Sequence, residues 1–139
     1  MSAKILENKD LDIIWDDEIK GYMVVGVKDK DIKEVVVPDG VKIIGEYAFN
    51  GCESLKSIKL PDGVKIIAKD AFIGCHNLEN IELPDSIKII GDNAFCWCWN
   101  LKSIKLPHSL KEIGEYAFNS CKNLEKIELP EGVKTIGEY

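Results

Sequence analysis

The chain has 139 residues, 45% of them hydrophobic, and a formal net charge of -6, which suits one folded domain of ordinary apolar content. The acid excess argues against a general nucleic-acid binder, and none of the 18 basic residues is arginine, the side chain best suited to forked recognition of phosphate or carboxylate. No apolar run approaches membrane-spanning length, so membrane insertion is not expected; the opening MSAKILENKD lacks the apolar core and cleavage pattern of a signal peptide, so the chain either stays inside the cell or has had a leader removed.

Residues 1–37 form the first segment. Leu11 to Trp15 and Tyr22 to Val27 are rich in β-branched and aromatic residues, with the polar stretch Asp16 to Gly21 between them. This pattern predicts a β-hairpin. Its expected task is to cover the open apolar end of the next segment, with Trp15, Tyr22 and Val24 on the covering face. Asp29-Lys30-Asp31 makes a second turn, and Ile32 to Val37 supplies the first strand of the type that follows.

Residues 38–139 repeat with a period of 23: Pro38, Pro61, Pro84, Pro107 and Pro130; Phe49, Phe72, Phe95 and Phe118; Cys52, Cys75, Cys98 and Cys121. Such a period signals a solenoid, whose units bury their apolar faces by stacking. There are four full units and one partial unit in one continuous domain. Within a unit, segments such as Leu55 to Leu60 follow the pattern LxxIxL, a short strand with Leu and Ile inward, ended by a proline that cannot donate to a ladder. The VKII segment, with Val41 and Ile44 or Val64 and Ile67 inward, predicts a second strand on the opposite side. Gly45, Gly91 and Gly114 then allow a sharp bend, with Ala68 the small substitute. Glu46 to Cys52 reads as about one helical turn with Ala48, Phe49 and Cys52 inward.

The string PDGVKIIGEYAFNGCESLKSIKL resembles the BspA-like leucine-rich repeat, and the resemblance runs over roughly residues 32–139. It implies a β-rich right-handed solenoid with short parallel strands on both sides. It also implies a role at the cell surface or in secretion, in which the repeats bind host matrix proteins or other cells. The unit departs from the pattern at Cys96-Trp97-Cys98-Trp99, where the first unit has Asn50-Gly51-Cys52-Glu53.

That departure supplies the candidate ligand site. Trp97 and Trp99 stand where no other unit has a large apolar side chain, and exposed tryptophan suits a binding hot spot. The competing reading has Trp97 covering a local gap and Trp99 lying over His76. Cys96 is expected to be more exposed than the inward cysteines; with Cys98 and His76 it sketches an incomplete metal site, against which an incidental surface thiol is the stronger reading. The cysteine column itself lacks zinc-ligand spacing and reads as core.

On the LxxIxL face the columns Lys56, Glu79, Lys102, Glu125 and Lys59, Glu82, Lys105, Glu128 alternate in sign and should compensate between neighbours. The lysine column Lys42, Lys65, Lys88, Lys111 and Lys134 reads as a solvated face screened by nearby acids. Beside it Ile43, Ile66 and Ile89 form either a flank of the core or a modest interaction strip.

No catalytic constellation or cofactor site emerges, so enzyme activity is not expected. Two functional readings remain. One is recognition of a protein or cell-surface ligand. The other is an assembly module, with apolar edges around Val133 and Ile136 driving homodimerisation through an uncapped C-terminal end. A weaker third is glycan or nucleic-acid binding by the lysine column.

Overall fold

The computed structural model describes residues 5–138; Met1 to Lys4 and Tyr139, on which the leader and chain-end readings partly rest, lie outside them. Strand β1 (Leu11–Asp16) and β2 (Gly21–Val27) form an antiparallel hairpin with a bulge at Asp12/Ile13. Strand β2 then pairs in parallel with β4 (Val41–Ile44), so the hairpin does more than lie over the first layer: it adds two strands to its sheet. That sheet continues through β6 (Ile66–Ile67), β8 (Ile89–Ile90), β9 (Glu112–Ile113) and β10 (Thr135–Ile136) in the order β1-β2-β4-β6-β8-β9-β10. On the opposite side β3 (Glu34–Val36), β5 (Ser57–Lys59) and β7 (Asn80–Glu82) form a three-stranded parallel sheet.

Register follows the repeat. Ile44 pairs with Ile67, Ile67 with Ile90 and Ile90 with Ile113; across the solenoid Ile58 pairs with Ile81. Equivalent side chains therefore stack in columns, and the inward ones build one continuous core. Phe49, Phe72, Phe95 and Phe118 stack with ring centroids 5.0, 5.2 and 5.4 Å apart and nearly parallel planes, the offset arrangement that aromatic quadrupoles favour. At the start of the column Leu11, Ile13 and Val24 are fully covered. Trp15 and Tyr22 are half-buried at the rim of that face and meet edge to face at 5.1 Å.

Two expectations are corrected. Glu46 to Cys52 is a run of tight turns rather than a helical turn. Ala48, Asn50 and Cys52 donate three residues back at 3.2, 3.0 and 3.2 Å, whereas Tyr47, Phe49 and Gly51 donate across to the carbonyls of Lys69, Ala71 and Ile73 at 3.3, 2.8 and 2.9 Å. Alternate amides thus bond between layers, which a helix would forbid; Ala48, Phe49 and Cys52 still point inward. Gly91 and Gly114 are required by close approach: a Cβ there would sit 2.6 Å from Lys69 N and 2.4 Å from Asp92 N of the preceding layer.

The two sides differ in tightness. Around the seven-stranded sheet, the amides of Lys65, Lys88, Lys111 and Lys134 each bond one layer back at 2.7–2.8 Å. On the other side the equivalent bonds of Lys56, Glu79, Lys102 and Glu125 lengthen from 2.8 to 3.0, 3.4 and 3.5 Å, and the expected strands at Leu101 to Leu106 and Leu124 to Leu129 shrink to one bridge, Ser103–Lys126. The turns fan apart on that side.

The cysteine column belongs to the core. Cys75, Cys98 and Cys121 each donate Sγ–H to the carbonyl of the phenylalanine one layer back, Phe49, Phe72 and Phe95, at 3.1, 3.3 and 3.1 Å. A small side chain with a weak donor fits beside a carbonyl buried against apolar neighbours. Burial pushes these thiols well above their ordinary range, Cys121 to about 11. The folded state therefore holds protons that the unfolded chain has released, so stability is complete below the unfolded thiol value of about 9 and declines as pH rises above it. Urea unfolding should show a lower midpoint at pH 10 than at pH 8, with a smaller drop in Cys98→Ala; identical drops in both proteins would contradict this role for the thiol.

Candidate functional site

The turn ladder sets the backbone of the site. Peptide planes that donate within a layer alternate with planes that donate to the next, and each reversal needs a left-handed residue. It falls first at Tyr47, Asp70, Asn93 and Tyr116 (φ 54–58°), and again at Gly51 (68°), Gly74 (75°), Trp97 (62°) and Ser120 (59°). A side chain in this region costs about 1–2 kcal/mol. Trp97 thus places a bulky aromatic where the two preceding layers have glycine. A Cβ at Gly51 would meet nothing within 4 Å, so the position demands no covering side chain, and the Trp97 indole is 49% exposed.

Two residues on, Trp99 stacks on His76 with ring centroids 3.7 Å apart and planes 2° from parallel. Lys122 brings its Nζ to 4.9 Å from the Trp99 ring, a cation–π geometry. These three are equivalents in successive layers, so the stack runs along the solenoid; at its start Glu53 Oε1 lies 4.0 Å from His76 Nδ1. Cys98 points inward between the tryptophans, leaving them on either side of an open cleft. His76, Trp97, Trp99, Ser120 and Lys122 line its roughly 430 Å³. Among the described residues the indole N–H of Trp15 has a hydrogen-bond partner, Asp17, whereas those of Trp97 and Trp99 have none.

Sequence reasoning missed the next column. Asn77, Asn100 and Asn123 link amide to amide: Asn100 Nδ2 donates to Asn77 Oδ1 at 3.0 Å, and Asn123 Nδ2 to Asn100 Oδ1 at 3.1 Å. Asn77 Nδ2 donates to the Glu53 carbonyl at 2.7 Å. The signal was present in the 23-residue recurrence of asparagine, but Ser54 breaks it in the first layer.

Cys96 does not join the site. It is 3% exposed, with Asn119 Nδ2 3.8 Å from its Sγ, although Asn50 in the same column is exposed and Ile73 and Asn119 are half-buried. With Cys98 also buried, the sketched metal site is dispersed, and among the described residues no group of three metal-ligating side chains converges.

The remaining surfaces are weaker. Lys59 lies in register with Glu82, yet among the described residues no ion pair joins the charge columns; the ion pair on this face, Lys126 Nζ to Glu128 Oε1 at 2.7 Å, lies within one layer. The alternation therefore acts through register. Ile43, Ile66 and Ile89 are half-buried, and with Met23, Val25 and Ala68 the first two line a shallow apolar depression. At the far end Val133 packs half-buried on the core, while Ile136 is 55% exposed and Ile127 and Leu129 are also open. No helix of the described residues is long and apolar enough to cross a membrane.

Comparison with known proteins fits this architecture. The description "BspA type Leucine rich repeat region (6 copies)" matches residues 27–139. The crystal structure of a leucine-rich repeat protein from T. pallidum superposes with a TM-score of 0.88 at 37% identity over 96% of this chain, which spans 64% of that protein. A leucine rich cell surface protein from Faecalibacterium prausnitzii (TM-score 0.72, 19% identity, 99% of this chain and 46% of that one) shares the fold. So does a leucine-rich repeat protein from Bacteroides capillosus (TM-score 0.71, 17% identity, 98% and 99%). Comparison with curated protein sequences gives no significant match.

The backbone strain at Trp97 has a measurable consequence. Trp97→Gly should leave stability unchanged or raise it by up to about 1 kcal/mol in urea denaturation, because relief of the left-handed conformation offsets the lost surface contacts. A loss above about 2 kcal/mol would make Trp97 a covering residue of the core.

Proposed function

The chain belongs to the BspA-type leucine-rich repeat family, and we propose that it acts as a non-enzymatic recognition module for protein or cell-surface material, with the tryptophan cleft as its contact site. The observation that carries this reading is Trp97, a half-exposed aromatic residue held at φ 62° where the two preceding layers have glycine and the next has serine. Tyr47 and Tyr116 share the left-handed conformation, so what sets Trp97 apart is a large apolar ring in a column that is otherwise glycine and serine. Trp97 and Trp99 are the anchors, and His76 fixes the plane of Trp99 by stacking. Adhesion at a cell surface comes from the family resemblance, and the rigid stacked scaffold suits it by presenting the cleft with little ordering cost.

The test is binding of fluorescently labelled protein to cultured epithelial cells and to immobilised extracellular-matrix proteins. Trp97→Gly and Trp99→Ala should each weaken binding about tenfold or more, the loss of roughly 1.4 kcal/mol, with circular dichroism unchanged. Undiminished binding by both variants would remove the cleft from the reading. No binding by any form would remove adhesion.

A second reading has its own observation. Phe118 and Leu124 are only half-buried, whereas their equivalents in earlier layers are fully covered, and Ile127, Leu129 and Ile136 continue this into an exposed apolar edge. Such an edge suits stacking of another repeat layer, including that of a second copy. Light scattering after size exclusion should then show molar mass rising with concentration from the 15.6 kDa chain, and Ile136→Lys should suppress the rise. A constant mass sinks self-association.

A further inference from the structure

We propose that the tryptophan cleft is a glycan subsite that takes a pyranose bearing a carboxylate, its apolar face on the Trp97 indole and its acid group toward Lys122. This rests on the cleft being the contact site and narrows its ligand from protein or cell-surface material to an acidic cell-surface saccharide. Three features of the cleft and its immediate surroundings carry it.

The first is the platform. Trp97 is half-exposed and makes no ring contact among the described residues, whereas one face of Trp99 is covered by His76. A free indole face accepts the flat C–H side of a sugar ring, and its unbonded N–H offers a donor at the edge.

The second lies beside the lining rather than in it: the asparagine ladder, whose Asn77, Asn100 and Asn123 each follow His76, Trp99 and Lys122 by one residue. A side-chain amide has two N–H donors and two acceptor sites. Within the ladder Asn100 uses one donor on Asn77 and one acceptor site for Asn123, and one of each remains. The amides recur once per layer, at the strand spacing of about 4.8 Å. Donor and acceptor side by side match vicinal hydroxyls, each of which both donates and accepts. The cleft is shallow and rimmed by polar groups, with no enclosed apolar pocket of the kind that anchors a protein side chain.

The third is charge. The protein is acidic overall, at -6, yet the ionisable groups lining the cleft are His76 and Lys122. Glu53 is the nearby carboxylate, and it faces His76 Nδ1 from the layer before. The indole N–H groups of Trp97 and Trp99 and the Lys122 ammonium can only donate, while the Ser120 hydroxyl donates and accepts; this balance favours an acceptor-rich, anionic ligand.

The chain has three tryptophans, so the indole N–H region of a nitrogen–proton NMR spectrum holds three signals. Trp15, whose Nε1 is bonded to Asp17 Oδ1 at 2.8 Å far from the cleft, is an internal reference. Titration with sialyllactose and with a hyaluronan hexasaccharide should shift the Trp97 and Trp99 signals saturably and leave Trp15 in place. Neutral lactose should bind about fivefold more weakly or worse, and Lys122→Gln should erase that difference, as expected for one exposed charge contact. Trp97→Gly should abolish the response of Trp99. No saturable shift up to about 10 mM of either acidic sugar overturns the proposal, and equal affinity for lactose overturns the acidic preference. Cell binding that Trp97→Gly abolishes but treatment with sialidase and hyaluronidase leaves intact would also overturn it, while leaving the broader recognition reading standing with a protein ligand.

Discussion

The structure depends on one constraint: each layer bonds its backbone to the equivalent positions of the next. Along the two sheets the amides reach back, as Lys88 N does to Lys65 O at 2.8 Å; at the turn they reach forward, as Phe72 N does to Ala94 O at 2.8 Å. A layer cannot slip by one residue without turning its inward set to solvent on both sides at once. The same bonds bring successive backbones too close for a Cβ at Gly91 or Gly114, and they force the left-handed residues at each corner.

The core follows from this spacing. Columns of identical side chains pack well only if each is content beside its own copy. Phenylalanine stacks offset on phenylalanine, and isoleucine pairs with isoleucine. Cysteine meets the carbonyl of the phenylalanine a layer back. That last contact explains a thiol at a position where alanine would fill less space and leave the carbonyl with fewer partners. A serine hydroxyl there would have greater need of hydrogen bonding inside an apolar column.

Where columns break their own rule, the departures lie at the surface. Trp97 replaces glycine in a conformation that glycine tolerates best, and Trp99 extends a surface stack over His76 that Glu53 does not begin with a ring. The turn ladder holds both at fixed positions because their backbones are bonded fore and aft, Trp97 N to Asn119 O at 2.9 Å among them. A rigid repeat scaffold can therefore carry a local departure without spreading its cost to neighbours.

The sequence by itself determined the solenoid, its period, its inward columns and the family, because a 23-residue repeat of proline, phenylalanine and cysteine admits one stacked register. It also singled out Trp97, Trp99 and His76, since a departure from a repeat is visible without coordinates. Only the tertiary structure decided which way each departure faces. Cys96 and Trp97 are adjacent in the chain, yet the fold buries the first and leaves the second half-exposed. The helical reading of Glu46 to Cys52 failed for the same reason: its three-residue-back bonds are real, but alternate amides belong to the next layer, and that partner lies 22 residues away. The asparagine ladder, the stack of Trp99 on His76 and the cleft between the tryptophans likewise exist only between layers. A one-dimensional reading registers their recurrence, while the distances that make them contacts arise from stacking.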